Sequence, residues 1–151
     1  MPSTKADPLA LAKQTFRKHH GRDWVALRSP NDPPVADDLF RLRIQHTYGD
    51  TWSRPGLDLK AKSLITLTVL VAQGAGHEFK THIRGAHHLG ITKDEIIELM
   101  IHLLAYVGAP RTVTATQLAQ EVWAEMAAEH AAREGTKAGA AKKARRTGPR
   151  P

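Results

Sequence analysis

Apolar positions in this chain recur at three- and four-residue spacing, the period of helices packed on one face. A first amphipathic helix is expected from about Pro8 to His19, stopping at Gly21. Arg28-Ser-Pro-Asn-Asp-Pro-Pro reads as a loop, and Asp32 before Pro33 and Pro34 starts a second helix. That helix carries Val35, Leu39, Leu42 and Ile44 towards Trp52, until Pro55 and Gly56 break it. Asp58 caps a third, LKAKSLITLTVLVAQG, apolar on most sides and expected to lie buried at the centre. Its β-branched residues leave a strand as the alternative, but the length of the run favours helix. The fourth, GHEFKTHIRGAHHLG, ends at the C′ glycine Gly90. Thr92 and Glu95 then form a capping box for the fifth, EIIELMIHLLAYVG. A sixth starts near Pro110 and runs to about Arg133. No βαβ alternation and no glycine-rich phosphate loop interrupts these helices, so the fold class is all-α. Two helices apolar on most faces exceed what a small monomer hides, which points to a homo-oligomer.

Composition narrows this picture. With 151 residues, 41% hydrophobic and 25% charged, the chain suits one globular domain. Six basic residues and one acid between positions 134 and 151 carry +5 of the formal +7, leaving +2 for the rest. The expected organisation is a helical domain over 1–133 followed by a disordered basic tail over 134–151. Such a tail touches nucleic acid non-specifically or simply aids solubility. No apolar run is long enough to span a bilayer and the N-terminus lacks a signal-peptide core, so a cytoplasmic setting is expected. There is no cysteine, which excludes disulfides, thiolate metal sites and cysteine redox chemistry.

The fourth helix holds four of the 9 histidines. His77, Thr81, Arg84 and His88 share one stripe, expected to face solvent; Phe79, Ile83 and Ala86 share the opposite one, expected to face the core. Glu78 and His82, four apart, sit between these stripes with the small Gly85 and Ala86 one turn on. A carboxylate beside an imidazole with room in front suits proton transfer, and it equally suits an ordinary ion pair at the core boundary. No two of these histidines stand four apart, so the helix offers no metal clamp and no metal ligand is expected in it. His19, His20, His46 and His130 show no convergent pattern, and His102 with Glu95, Glu98 and Tyr106 forms a polar stripe on the fifth helix.

From Phe40 to Trp123 the chain resembles the carboxymuconolactone decarboxylase family, in its 4-carboxymuconolactone decarboxylase branch. The resemblance rests on WSRPGLD, on Glu78-x-x-x-His82 running into HIRGA, on GITKDEI and on YVGAP. It implies an AhpD-like bundle of about six helices, a homo-oligomer (a hexamer or trimer of dimers) and no cofactor. It also implies loss of CO2 from 4-carboxymuconolactone to give 3-oxoadipate enol-lactone in protocatechuate degradation. The related AhpD-type alkylhydroperoxidases need a Cys-x-x-Cys-x-x-x-His motif, of which only His82 is present here, so thiol peroxidase activity is excluded. Family members often have arginine where Lys62 stands and cysteine where Val107 stands.

The reaction so implied needs carboxylate holders, an oxyanion contact and a proton donor. His82 is the expected proton donor or oxyanion contact, with Glu78 fixing its tautomer and keeping it protonated. Arg54, Lys62 and Arg84 are candidate carboxylate holders, Tyr106 reaches a cleft at its helix end, and Phe79 and Trp52 line an apolar part. Rivals are a relative acting on another lactone or keto acid, and a non-catalytic helical oligomer with a nucleic-acid-binding tail.

Overall fold

The computed structural model describes residues 7–23, 33 and 35–146, with 138–146 as main chain only. The expected Arg28–Pro34 loop and the Asp32 helix start lie outside the described residues, apart from Pro33. The helices are α1 (Pro8–His20), α2 (Ala36–Ile44), α3 (Leu59–Gln73), α4 (Gly76–His88), α5 (Lys93–Val107) and α6 (Ala109–Arg146). A π-helix over Gln45–Trp52 continues directly from α2. Among the described residues there is no strand, so the all-α expectation holds and the strand alternative for α3 does not.

Local chemistry sets most of the ends. The Asp7 carboxylate accepts from the Leu9 amide at α1, and Asp58 accepts from the Ala61 amide at 2.7 Å at α3. Thr92 and Glu95 form the expected reciprocal box, Glu95 N–H donating to Thr92 Oγ1 at 3.1 Å and Thr92 N–H to Glu95 Oε2 at 2.6 Å. Gly21, Gly74 and Gly90 each take the left-handed conformation just past a helix, where a side chain would be strained. At Gly90 the Ile91 amide reaches back to the Ala86 carbonyl at 3.0 Å, closing α4.

Two core clusters result. The larger joins α3 to α6 through Leu67, Val71, Phe79, Ile83, Met100, Leu103 and Val122. The smaller joins α1 to the π-helix through Ala12, Phe16, Ile44, Tyr48 and Trp52. Helix α4 bridges them, and Lys80–Glu121 (2.5 Å) and Arg84–Glu125 (2.7 Å) pin its outer edge to α6.

Three expectations need correction. Helix α3 is not enclosed within the single chain: Ser63, Leu67 and Val71 are buried, but Ile65 and Val69 remain about half exposed. A helix apolar on most faces has more such surface than α4, α5 and α6 cover here. The second helix reaches Trp52 only by changing to π geometry, which places Tyr48, Gly49 and Trp52 inward. The sixth helix does not stop near Arg133 but continues to Arg146, through much of the segment expected to be disordered. Alanine, lysine and arginine are among the strongest helix formers, which accounts for the extension. No helix among the described residues is long and apolar enough to cross a membrane.

Because the α5 box satisfies two otherwise free amides, Thr92→Ala should lower unfolding stability by about 1 kcal/mol. A shift in denaturant midpoint at unchanged slope would report it; no shift would mean that water replaces the cap.

Candidate active site

A cleft of about 320 Å³ opens between α1, the α2–π-helix segment and α4. Glu78, His82, His77 and Thr81 line it from α4, facing Arg43, Ile44, Thr47 and Tyr48 across it, with Phe16 and His20 at its inner end. Glu78 and His82 share this wall because they are one helical turn apart. Glu78 is exposed at the cleft, while His82 is half-buried with Nδ1 inaccessible and unpartnered.

Behind His82 lies a cluster that sequence reading missed. His19 and His20, both buried, end α1 against α4. The His19 ring centroid is 4.1 Å from that of His20, 5.2 Å from that of His82 and 4.2 Å from Trp52. His20 Nε2 shares a 2.7 Å hydrogen bond with the Tyr48 hydroxyl. This close approach requires Gly85: a β-carbon there would stand 2.8 Å from His19 Nε2 and 3.1 Å from His20 Nδ1. The room noted beside His82 is therefore filled by two imidazoles from α1. The expectation that His19 and His20 join no convergent pattern is corrected, because spacing within α4 cannot reveal rings arriving from another helix.

Burial dominates the electrostatics. It holds His82 at about 4, with Glu78 pulling upward but not offsetting it. Burial, followed by the repulsion of His20, His82 and His88, takes His19 to about 2. His20 lies at about 3, through burial and then His82, Arg22 and His88. In the free protein, then, Glu78 does not keep His82 protonated, and all three rings are neutral at pH 7. Burial also raises the Tyr48 hydroxyl, leaving it protonated.

The other expected site residues are dispersed. Trp52 is buried and backs the cluster, its ring 6.1 Å from that of His82. Phe79 belongs to the larger core, 1% exposed. Lys62 Nζ donates to the carbonyls of Trp52 (2.7 Å) and Arg54, pinning the WSRPGLD turn, and Arg54 itself is exposed. Arg84 is taken by Glu125 and Glu129 of α6, 2.7 and 3.0 Å away. Tyr106 lies exposed beside His102 at the far end of α5. None of Lys62, Arg54, Arg84 and Tyr106 lines the cleft; the guanidinium that does belongs to Arg43, over the Phe40 ring at 4.7 Å.

The Carboxymuconolactone decarboxylase family matches residues 37–121, which include both cleft walls apart from α1. The chain belongs to this family. A 4-carboxymuconolactone decarboxylase from Acinetobacter baylyi is 40% identical over 109 residues, covering 72% of this chain and 78% of that one. Nitrosuccinic acid decarboxylase npaB from Metarhizium robertsii is 34% identical over 106 residues, 70% of this chain and 74% of its own. An uncharacterised 15.0 kDa protein from Paracoccus denitrificans is 36% identical over 95 residues, 62% of this chain and 68% of its own. The family match begins at Asp37, so it leaves His19 and His20 outside.

The buried rings carry a pH dependence. Their folded values lie below the ordinary 6.5, so the unfolded chain takes up protons first. Stability is complete above about pH 6.5 and falls as pH drops towards the folded values, by up to about 3 kcal/mol per ring near pH 4.5. Thermal unfolding from pH 7 to 4.5 should therefore be steeper for the native chain than for His19→Gln. Parallel curves would mean that His19 titrates as an exposed histidine.

Proposed function

We propose that the protein is a cytoplasmic decarboxylase of aromatic-compound degradation that converts 4-carboxymuconolactone to 3-oxoadipate enol-lactone and CO2. The observation that carries this reading is the shared wall of Glu78 and His82 in a cleft facing Arg43. The 40% identical relative, a 4-carboxymuconolactone decarboxylase, supports the substrate class.

The carboxylate to be lost stands on the γ-carbon of an α,β-unsaturated lactone. When its carbon–carbon bond breaks, the electron pair moves through the ring double bond onto the lactone carbonyl oxygen. The dienolate then takes a proton at the α-carbon. The substrate is its own electron sink, so the protein has to hold two carboxylates, stabilise one oxyanion and deliver one proton. Arg43 is the carboxylate holder in this scheme, a role first expected of Arg54, Lys62 or Arg84. A guanidinium can grip a carboxylate with two parallel hydrogen bonds.

His82 is the oxyanion contact, and its neutral state in the free protein fits a site filled by an anion. A carboxylate about 4 Å away in an effective dielectric of about 20 contributes about 4 kcal/mol. That is enough to carry His82 from about 4 to near neutrality, so the dianionic substrate recharges the ring it needs. Glu78, exposed in the same cleft, relays the proton in this scheme.

Folded His82→Ala should lose about 10²-fold or more in kcat, the scale of one lost oxyanion donor. Arg43→Ala should act mainly on KM, because its grip on a spectator carboxylate is the same in ground and transition states. Both are read from CO2 release by 4-carboxymuconolactone. Turnover kept by His82→Ala and Glu78→Ala would discard the site and leave the reaction; no turnover by the native chain would discard the substrate. The second reading, a different acid that carries its own electron sink, is favoured by the 34% identical relative named for nitrosuccinic acid.

We also infer self-assembly, to a hexamer or trimer of dimers, from apolar side chains left on neighbouring helices. Ile65 and Val69 of α3, Ile101 and Leu104 of α5 and Val113 of α6 are 46–58% exposed. Sedimentation of the native chain as a multimer, and of Ile101→Asp as a smaller species, would support this; a native monomer would refute it.

A further inference from the structure

We propose that His19, His20 and His82 form a binding site for one divalent transition-metal ion of the kind that prefers imidazole, with zinc the reference case. Each ring offers one nitrogen, and these three nitrogens lie within 4.8 Å of one another. They come from two helices far apart in the chain and meet at the inner end of the cleft. The site shares His82 with the proposed reaction but does not rest on that reading, and its test uses no substrate.

Four observations support it. First, the nitrogens are without partners where partners are expected: His19 Nδ1 and Nε2, His20 Nδ1 and His82 Nδ1 are all buried and unbonded. His19 is 0% exposed, so bulk water does not reach it. A buried polar atom without a partner costs about 1–3 kcal/mol, and a shared ion removes several such penalties together. Second, the ligand set is chemically uniform. Three neutral imidazoles with no thiolate select zinc, copper or nickel over magnesium or calcium, which want oxygen.

Third, the geometry is within reach of coordination. Tetrahedral zinc with bonds of about 2.0–2.1 Å needs its ligand nitrogens about 3.3 Å apart. The nitrogens, within 4.8 Å of one another, have to close by up to about 1.5 Å to reach that spacing. Three protein ligands would leave a fourth position open, the arrangement of open zinc sites. Fourth, some of the neighbouring groups favour a cation, set against Arg43 in the same cleft. Tyr48 at 2.7 Å fixes His20: when Nε2–H donates to the hydroxyl oxygen, the Nδ1 lone pair is left free for the metal. His19 and His20 also form the last turn of α1, whose carbonyl end favours positive charge. Glu78 lines the same cleft and would lower the net charge of a filled site.

The test uses the full chain without a histidine tag, stripped with chelator and titrated with Zn²⁺ against a chromophoric chelator. One ion per chain is expected, with affinity at least about tenfold weaker in His19→Gln and in His20→Gln, and unchanged in the exposed His102→Gln. Zinc X-ray absorption on the unsubstituted protein keeps the proposal falsifiable should the variants fail to fold. It should show three imidazole nitrogens at about 2.0 Å. An oxygen-dominated shell, less than one ion per chain, or wild-type affinity in folded His19→Gln and His20→Gln would overturn the site. Loss of CO2 release, by contrast, bears only on the decarboxylase assignment.

Discussion

Helices α1 and α4 meet at a position without a side chain, and the site is arranged around that contact. A β-carbon at Gly85 would fall within 2.8 Å of His19, so the rings of His19 and His20 occupy space that any other residue would need. Through this contact the small cluster of α1 and the π-helix is set against the larger cluster of α3 to α6. The cleft lies between Phe16, Ile44 and Tyr48 of the smaller cluster and the Glu78–His82 face of α4. Packing of this kind tolerates little change in volume, because interiors are already close to crystal density.

Helix α4 divides its surface three ways. Phe79, Ile83 and Ala86 anchor it in the core, Lys80 and Arg84 tie it to acids on α6, and Glu78 and His82 face the cleft. The ion pairs lie near the surface and each contributes little alone, about 1 kcal/mol or less. Their effect is to fix the rotation of the helix about its axis, which decides which residues meet the cleft. Arg84 is thereby committed to structure, while Arg43 lines the opposite wall of the cleft.

Much of this was legible in the sequence, because it is encoded locally. Asp58, the Thr92–Glu95 box and Gly90 announce helix ends within one turn, and the core stripe of α4 follows from period alone; the stripe expected to face solvent is instead divided, His77 and Thr81 lining the cleft and Arg84 pairing with α6. The Glu78–His82 pair was legible for the same reason, being four residues apart on one helix. The histidine cluster was not. His19 and His20 look like the polar end of an amphipathic helix until α1 is docked on α4, and nothing local indicates that docking except Gly85 beside His82. Charge state was misjudged for a related reason: Glu78 is visible in sequence, whereas the burial that outweighs it is a property of the packed chain.

The π-helix carries a consequence for how this segment changes length. A π turn holds more residues than an α turn, so Gln45–Trp52 behaves as an α-helix with an inserted residue. Removing one residue there would let ordinary periodicity resume, turning everything on its N-terminal side by about 100° about the axis. Phe40, Arg43 and Ile44, which form the outer wall of the cleft, would then swing away from Trp52 and the histidines while keeping their identities. Spacing in this segment thus works as a determinant of its own, and two chains with the same wall residues but one residue more or less between them need not enclose the same space.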